Sequence, residues 1–144
     1  MERGLVLVGV ALLVGVLVVG GRLLARRRLR QVQAMPSTAL WDALAEMPDG
    51  RPTVVAFSTP GCAACYTAQR PALTVLERRS EGRVRVLYVD AAERPETASA
   101  FGVMTVPATV VLGPEGSVVA ANQGFATTEK LAEQVGLSAA PSPR

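Results

Sequence analysis

The sequence contains no histidine and only two cysteines, and this shortage of ligands restricts the metal sites that one chain can form. A structural zinc site takes four nitrogen or sulfur ligands, which Cys62 and Cys65 cannot supply within one chain. We therefore expect no resident metal and no other cofactor. A metal ion or cluster shared between two chains stays open as an alternative.

Basic side chains are also scarce over most of the chain. The full sequence has a net charge of +3, but residues 36–144 hold nine basic and eleven acidic side chains, a net charge of −2. The positive excess lies in a cluster of five arginines within residues 22–30: Arg22, Arg26, Arg27, Arg28 and Arg30. Because no basic stripe interleaved with aromatic residues follows this cluster, we expect no nucleic-acid partner.

Charged residues are absent from residues 4–21, a run of 18 mostly aliphatic side chains that Leu23 and Leu24 extend. At 1.5 Å per residue, a helix of this length spans most of a hydrocarbon core of about 30 Å. We expect a retained transmembrane anchor over residues 1–30, because the arginine cluster follows the apolar run instead of preceding it. A cleaved signal peptide and a buried soluble helix stay open as alternatives.

The arginine cluster also predicts the orientation of this single-pass anchor. Five arginines follow the apolar run, whereas Arg3 precedes it and is offset by Glu2. The positive-inside rule then places the C-terminal part in the cytoplasm, with the cluster in contact with anionic lipid. The extracytoplasmic arrangement is the alternative.

The rest of the chain alternates between helical and strand-like patterns. We expect a linker at residues 31–36, one α/β domain at residues 37–137 and a disordered tail at residues 138–144. The domain's predicted helices cover residues 37–47, 62–79, 95–101 and 127–135, and its predicted strands cover residues 53–57, 84–89, 108–112 and 117–121. The predicted buried positions are Leu40, Trp41, Leu44 and Met47 on the first helix and Ala68, Ala72, Val75 and Leu76 on the second.

Cys62 and Cys65 lie where a breaker segment, residues 58–61, gives way to a helical pattern. Thiols at this spacing lie within about one helical turn and can form and break a disulfide without moving the fold. A bridge closing so short a loop stabilises a protein by only about 2 kcal/mol, against about 4.7 kcal/mol for a loop of a hundred residues. The pattern therefore favours a redox dithiol over a structural bridge. Two inert buried thiols are the alternative.

From about Ser37 to Leu137, the domain resembles thioredoxin. Three landmarks carry the resemblance: Cys62-Ala63-Ala64-Cys65 after the first core strand, Thr105-Val106-Pro107 before a hairpin, and Gly124 after it. It implies a thioredoxin-like fold, in which a central mixed β-sheet is flanked by helices. It also implies that Pro107 follows a cis peptide bond and faces the dithiol, and that Val106 offers its backbone to a substrate. Gly61 and Gly124 complete the expected substrate site. An ordinary strand-edge role is the alternative for Pro107.

The sequence also departs from the thioredoxin pattern near the dithiol. Gly61 replaces a tryptophan, Ala63-Ala64 replaces Gly-Pro, and Ala56 replaces a buried acid in the preceding strand. The loss of that acid removes an internal proton acceptor for Cys65, so we expect the resolving step to be slower or to rely on water. The helix proline that follows the second cysteine lies one position later, at Pro71.

The placement of the two cysteines predicts different roles for them. A helix N-terminus stabilises a thiolate, so Cys62 is the expected nucleophile and the more shielded Cys65 the expected resolving thiol. We expect a membrane-tethered thiol–disulfide oxidoreductase that exchanges disulfides with cysteine-containing protein clients and with a separate redox partner. The alternative is a binding, scaffold or redox-sensing domain at the membrane without turnover.

Overall fold

Four strands form one mixed β-sheet with helices on both faces in the computed structural model, which describes residues 2–137. The strands are β1 (Thr53–Ser58), β2 (Arg85–Asp90), β3 (Ala108–Leu112) and β4 (Val118–Gln123). The α-helices are α1 (Glu2–Gln33), α2 (Ser37–Leu44), α3 (Arg70–Ser80), α4 (Pro95–Ala100) and α5 (Thr128–Gln134). A π-helical turn, Cys65–Gln69, leads into α3. The expected α/β fold is confirmed, and the predicted tail at 138–144 lies outside the described residues.

The strand order across the sheet is β2-β1-β3-β4. β1 pairs in parallel with β2 and antiparallel with β3, and β3 pairs antiparallel with β4. β1 is buried along almost its whole length because helices cover both faces of the sheet, which explains its unbroken apolar sequence. The sheet edge where β1 ends carries the two cysteines.

Alternate residues of β1 contribute to two separate cores. Val55 and Phe57 face α2 and α4, where the Phe57 and Phe101 rings lie 5.5 Å apart. Val54 and Ala56 face α3 and α5 on the opposite side. This two-sided burial fixes the strand and therefore the loop that follows it.

The expected linker at residues 31–36 is wrong in its first half, because α1 continues through Gln33. Val32 is only 7% exposed and packs in the same core as Trp41. The Gln33 side-chain amide donates to the carbonyl of Val118 at 3.5 Å. The helix ends at Gln33, three residues before Pro36, and a proline disfavours helical geometry in the residue before it. The last turn of α1 is thus part of the domain.

The rest of α1 makes little contact with the domain. Residues Val6–Gln33 form a helix long and apolar enough to cross a membrane, and none of its most apolar window is buried against the domain. The helix therefore fits the expected anchor in length and composition.

α2 is three residues shorter than predicted. It ends at Leu44, and Ala45 takes a left-handed conformation with φ of 56°. Met47 is consequently 79% exposed, so the prediction that it is buried was wrong. Trp41 is buried as predicted, and its indole N–H donates to the carbonyl of Gly116 at 3.1 Å.

Candidate active site

Cys62 and Cys65 form a disulfide, with Cα atoms 5.3 Å apart, at the point where the chain leaves β1 and enters the helix. A turn brings the chain round, with the Cys62 N–H donating to the Thr59 carbonyl at 3.1 Å. The Cys65 N–H lies 3.2 Å from both the carbonyl oxygen and the Sγ of Cys62. The helical residues begin at Ala63, so Cys62 lies directly before the helix, and its Sγ accepts from the Cys65 N–H in the first turn.

The two sulfur-bearing residues differ in exposure. Cys62 is partly exposed, whereas Cys65 is 5% exposed and packs behind it. A partner sulfur approaching from solvent therefore meets Cys62 first.

The helix after Cys65 begins with a π-helical turn that the sequence pattern did not predict. The Arg70 N–H donates to the Cys65 carbonyl, five residues back. Pro71 follows in the first turn of α3, where its missing N–H and its ring are tolerated. A π-turn accommodates one extra residue, which matches the one-position displacement of this proline. Pro71 was therefore the available signal for the π-turn.

The extra residue also shifts the buried face of the helix. Leu76 is buried as predicted, but Ala68, Ala72 and Val75 are only partly buried. Gln69 and Leu73 take the buried positions instead. The prediction was wrong here because it assumed a regular period of 3.6 residues from Cys62 onward.

The Val106–Pro107 loop reaches the same edge of the sheet. Phe57 of β1 pairs with Ala108 of β3, so Pro107 lies beside the residue that leads into the cysteine loop. The Val106–Pro107 peptide bond is cis, as the resemblance implies. Pro107 is buried and Val106 is half-buried. The site thus combines the cysteine loop with a loop more than forty residues later.

Gly124 contacts this proline loop directly. Its N–H donates to the Pro107 carbonyl at 2.8 Å, and its φ of 86° is a conformation that favours glycine. Gly61 is exposed in the turn immediately before Cys62. The structure thus places Val106, Pro107 and Gly124 together and Gly61 beside the disulfide.

Gln69 is a residue of the site that sequence reasoning missed. Its side-chain amide donates to the Ala126 carbonyl at 3.0 Å and accepts from the Ala126 N–H at 2.9 Å. Gln69 is 3% exposed and Ala126 is fully buried. These two bonds join the π-turn behind Cys65 to the loop that follows Gly124. No residue spacing in the sequence predicts such a contact between distant segments.

A cluster of Tyr66, Arg70 and Tyr88 lies next to Cys65. The guanidinium carbon of Arg70 is 5.0 Å from the Tyr66 ring centre and 5.3 Å from that of Tyr88. Burial raises the pKa of Tyr88, the charge of Glu77 raises it further, and Arg70 opposes both effects. Within residues 2–137 no three His, Cys, Asp or Glu side chains gather as a metal site would require.

Comparisons with known proteins agree with this geometry. The family model described as Thioredoxin matches residues 31–136. Thioredoxin of Bacillus subtilis (strain 168) is 34% identical over 79 residues, which cover 55% of this chain and 74% of that protein.

Solved structures show the same fold. Fasciola hepatica thioredoxin has 28% identity and a TM-score of 0.53 over 60% of this chain and 80% of that one. Chloroplastic thioredoxin z has 23% identity and a TM-score of 0.55 over 71% of this chain and 88% of that one. Together with the Cys62–Cys65 disulfide, these matches support a redox oxidoreductase in general. Because the family match spans all four strands, both cysteines and the cis-proline loop, the chain belongs to the thioredoxin family.

Proposed function

We propose that this protein is a membrane-tethered thiol–disulfide oxidoreductase that exchanges disulfides with cysteine-containing protein clients. The observation that carries the proposal is the Cys62–Cys65 disulfide at the start of a helix, with one partly exposed and one shielded cysteine. A bridge this short and this accessible suits a disulfide that opens and closes more than it suits a structural cross-link.

Cys62 is the nucleophile in this proposal. In the reduced protein its sulfur lies at the start of the helix, where the Cys65 N–H and the positive end of the helix stabilise a thiolate. The thiolate attacks one sulfur of a client disulfide, and the other client sulfur leaves as a thiolate. The product is a mixed disulfide between Cys62 and the client.

Cys65 is the resolving thiol. After losing its proton, its sulfur attacks Cys62 Sγ, forms the Cys62–Cys65 bond and releases the second client sulfur as a thiolate. Two electrons pass from the dithiol to the client. A separate redox partner then restores the dithiol, and the reverse sequence would oxidise a client.

The surface around Cys62 supports binding of an extended client segment. Among the described residues, none hydrogen-bonds the backbone N–H or carbonyl of Val106, which leaves both groups for a client strand. The large apolar side chains of Met104, Phe125 and Tyr66, in the segments that form the site, are 65%, 50% and 43% exposed. These side chains would bury the apolar residues that flank a client cysteine.

The test uses the full chain in detergent micelles. Cys65→Ser should trap clients as mixed disulfides through Cys62, because the resolving step is removed. Cys62→Ser is the matched control, and it should trap none. A thiol reductant should cleave the mixed disulfides and release the clients. Equal trapping by both variants would show that the assigned roles are wrong, and no adducts from either would favour a binding or scaffold domain.

Thiol acidity is a second measurement of the same roles. Alkylation of the reduced protein against pH should show Cys62 reacting with a pKa below the ordinary value of about 8.5. A value at or above 8.5 for Cys62 would remove the basis for its role.

Membrane attachment through α1, with the domain in the cytoplasm, is also part of the proposal. The apolar helix and the arginines that follow it support this orientation. The protein should resist carbonate extraction and keep its N-terminus. A C-terminal reporter active only in the cytoplasm should be active, whereas activity of a reporter that requires export would reverse the orientation.

A further inference from the structure

Arg70 is held beside Cys65 by two aromatic rings. Its guanidinium carbon lies 5.0 Å from the Tyr66 ring centre and 5.3 Å from the Tyr88 ring centre, both within cation–π range. Arg70 forms no ion pair with any carboxylate among residues 2–137. The π-turn sets its place, since the Arg70 N–H donates to the Cys65 carbonyl. Arg70 is exposed to solvent, and the two rings hold its positive charge in the neighbourhood of Cys65 without a carboxylate partner.

Cys65 and Arg70 line the same small cavity. Its volume is about 10 Å³, close to the space needed for a single water molecule. Ala56, Ser58 and Gln69 line it on the sheet and helix sides. Among its lining residues the cavity has no carboxylate, so water is the group available to take the Cys65 proton.

We propose that Arg70 is a positioning residue that favours the thiolate form of Cys65, so that the resolving step proceeds with water as the proton acceptor. This inference rests on the proposed function, because it concerns the second step of disulfide exchange. The Cys65 thiol gives its proton to water, and the sulfur then attacks Cys62 Sγ. The Cys62–client bond breaks, and the client sulfur leaves as a thiolate that takes a proton from solvent.

Few other ionisable groups face this cavity. Tyr66 comes from the π-turn and Tyr88 from β2, and neither side chain is a carboxylate. Glu77 acts on Tyr88 from α3. β1 contributes only Ala56, Phe57 and Ser58. Arg70 is therefore the one lining residue with a full charge at neutral pH.

The experiment follows the reaction of the reduced full chain, in detergent, with Ellman's reagent. Cys62 attack releases the first equivalent of thionitrobenzoate, and Cys65 attack on the resulting mixed disulfide releases the second. Arg70→Gln removes the charge. Arg78→Gln is the matched control, because it makes the same change on an exposed residue of α3 eight positions further along.

We expect Arg70→Gln to slow the second release about threefold at pH 7. A positive charge near a thiol, partly screened by solvent, lowers the thiol pKa by about one unit, so removing it lowers the thiolate population about tenfold. The more basic thiolate is about threefold more nucleophilic, which offsets part of the loss. As pH rises, the difference in the rate of the second release between Arg70→Gln and wild type should shrink. It should then reverse once Cys65 is ionised in both proteins. Arg70→Lys should retain most of the wild-type profile, and Arg78→Gln should match wild type.

Several results would overturn the inference. A second release that is unchanged in Arg70→Gln would show that the charge does not act on Cys65. A deficit of constant size at every pH, or one shared equally by Arg70→Lys, would indicate a structural role. Failure of the proposed function is distinct, because the first release would then persist at the wild-type rate in Cys62→Ser.

Discussion

Replacing Gln69 with leucine should be one of the most destabilising single changes in the domain. Leucine fills a similar volume but makes neither hydrogen bond to Ala126, whose backbone N–H and carbonyl are paired with Gln69 and fully buried. Each buried group left unpaired costs about 1–3 kcal/mol. Gln69→Leu should therefore lower the free energy of unfolding by about 2–6 kcal/mol, a large share of the ~5–15 kcal/mol typical of a domain.

Urea unfolding of the full chain in detergent measures this loss. Trp41 is the only tryptophan and is 4% exposed in the domain core, so its fluorescence reports unfolding of the domain and not of α1. Thr74→Val is the matched control, because it removes one exposed side-chain bond to the Arg70 carbonyl in the adjoining helix. The control should change stability by no more than about 0.5 kcal/mol. A loss below about 1 kcal/mol for Gln69→Leu would refute the account of this contact.

Two further changes test other parts of the fold. Gly102 has φ of +67°, and a Cβ there would lie 2.9 Å from Val32 Cγ2. Gly102→Ala should destabilise by about 1–3 kcal/mol more than Gly82→Ala, which has a similar φ of +80° but open space around it; equal losses would show that Val32 docking contributes nothing. Burial and Glu77 raise the pKa of Tyr88 despite Arg70, so the folded state prefers the neutral phenol. Its contribution to stability should be complete below about pH 10 and lost as pH rises through the folded-state pKa. Urea midpoints between about pH 9 and pH 11 should fall less in Tyr88→Phe than in wild type, and identical slopes would contradict the assignment.

Much of the fold was predictable because its local signals agree with its packing. The apolar run in β1 matches a strand covered on both faces, and the Gly113–Gly116 segment forms the turn between β3 and β4. Val32 was harder to predict because a single apolar side chain after an arginine cluster has no periodic partner. Its burial depends on Gly102, seventy residues later, where the absence of a Cβ leaves space for the Val32 side chain.

The cysteines and the proline of the site were predictable from the sequence, but the residues packed around them, Gln69 and Arg70, were not. Cys-x-x-Cys and Val106–Pro107 are local patterns, so they are visible in the sequence. Gln69 and Arg70 acquire their neighbours from the π-turn, which rotates every later side chain relative to a regular helix. A polar glutamine in an apolar pattern looks exposed until the backbone of Ala126 is brought to it.

The central claim is that Cys62 and Cys65 form one reversible redox couple, and a redox titration tests it most directly. The full chain is equilibrated with glutathione buffers of graded ratio, and free thiols are counted by alkylation and mass. We predict one transition in which both cysteines change together, with the two-electron slope of a tenfold change in equilibrium constant per ~30 mV. Thiols that stay free in every buffer, or glutathione adducts on Cys62 without a Cys62–Cys65 disulfide, would contradict the account.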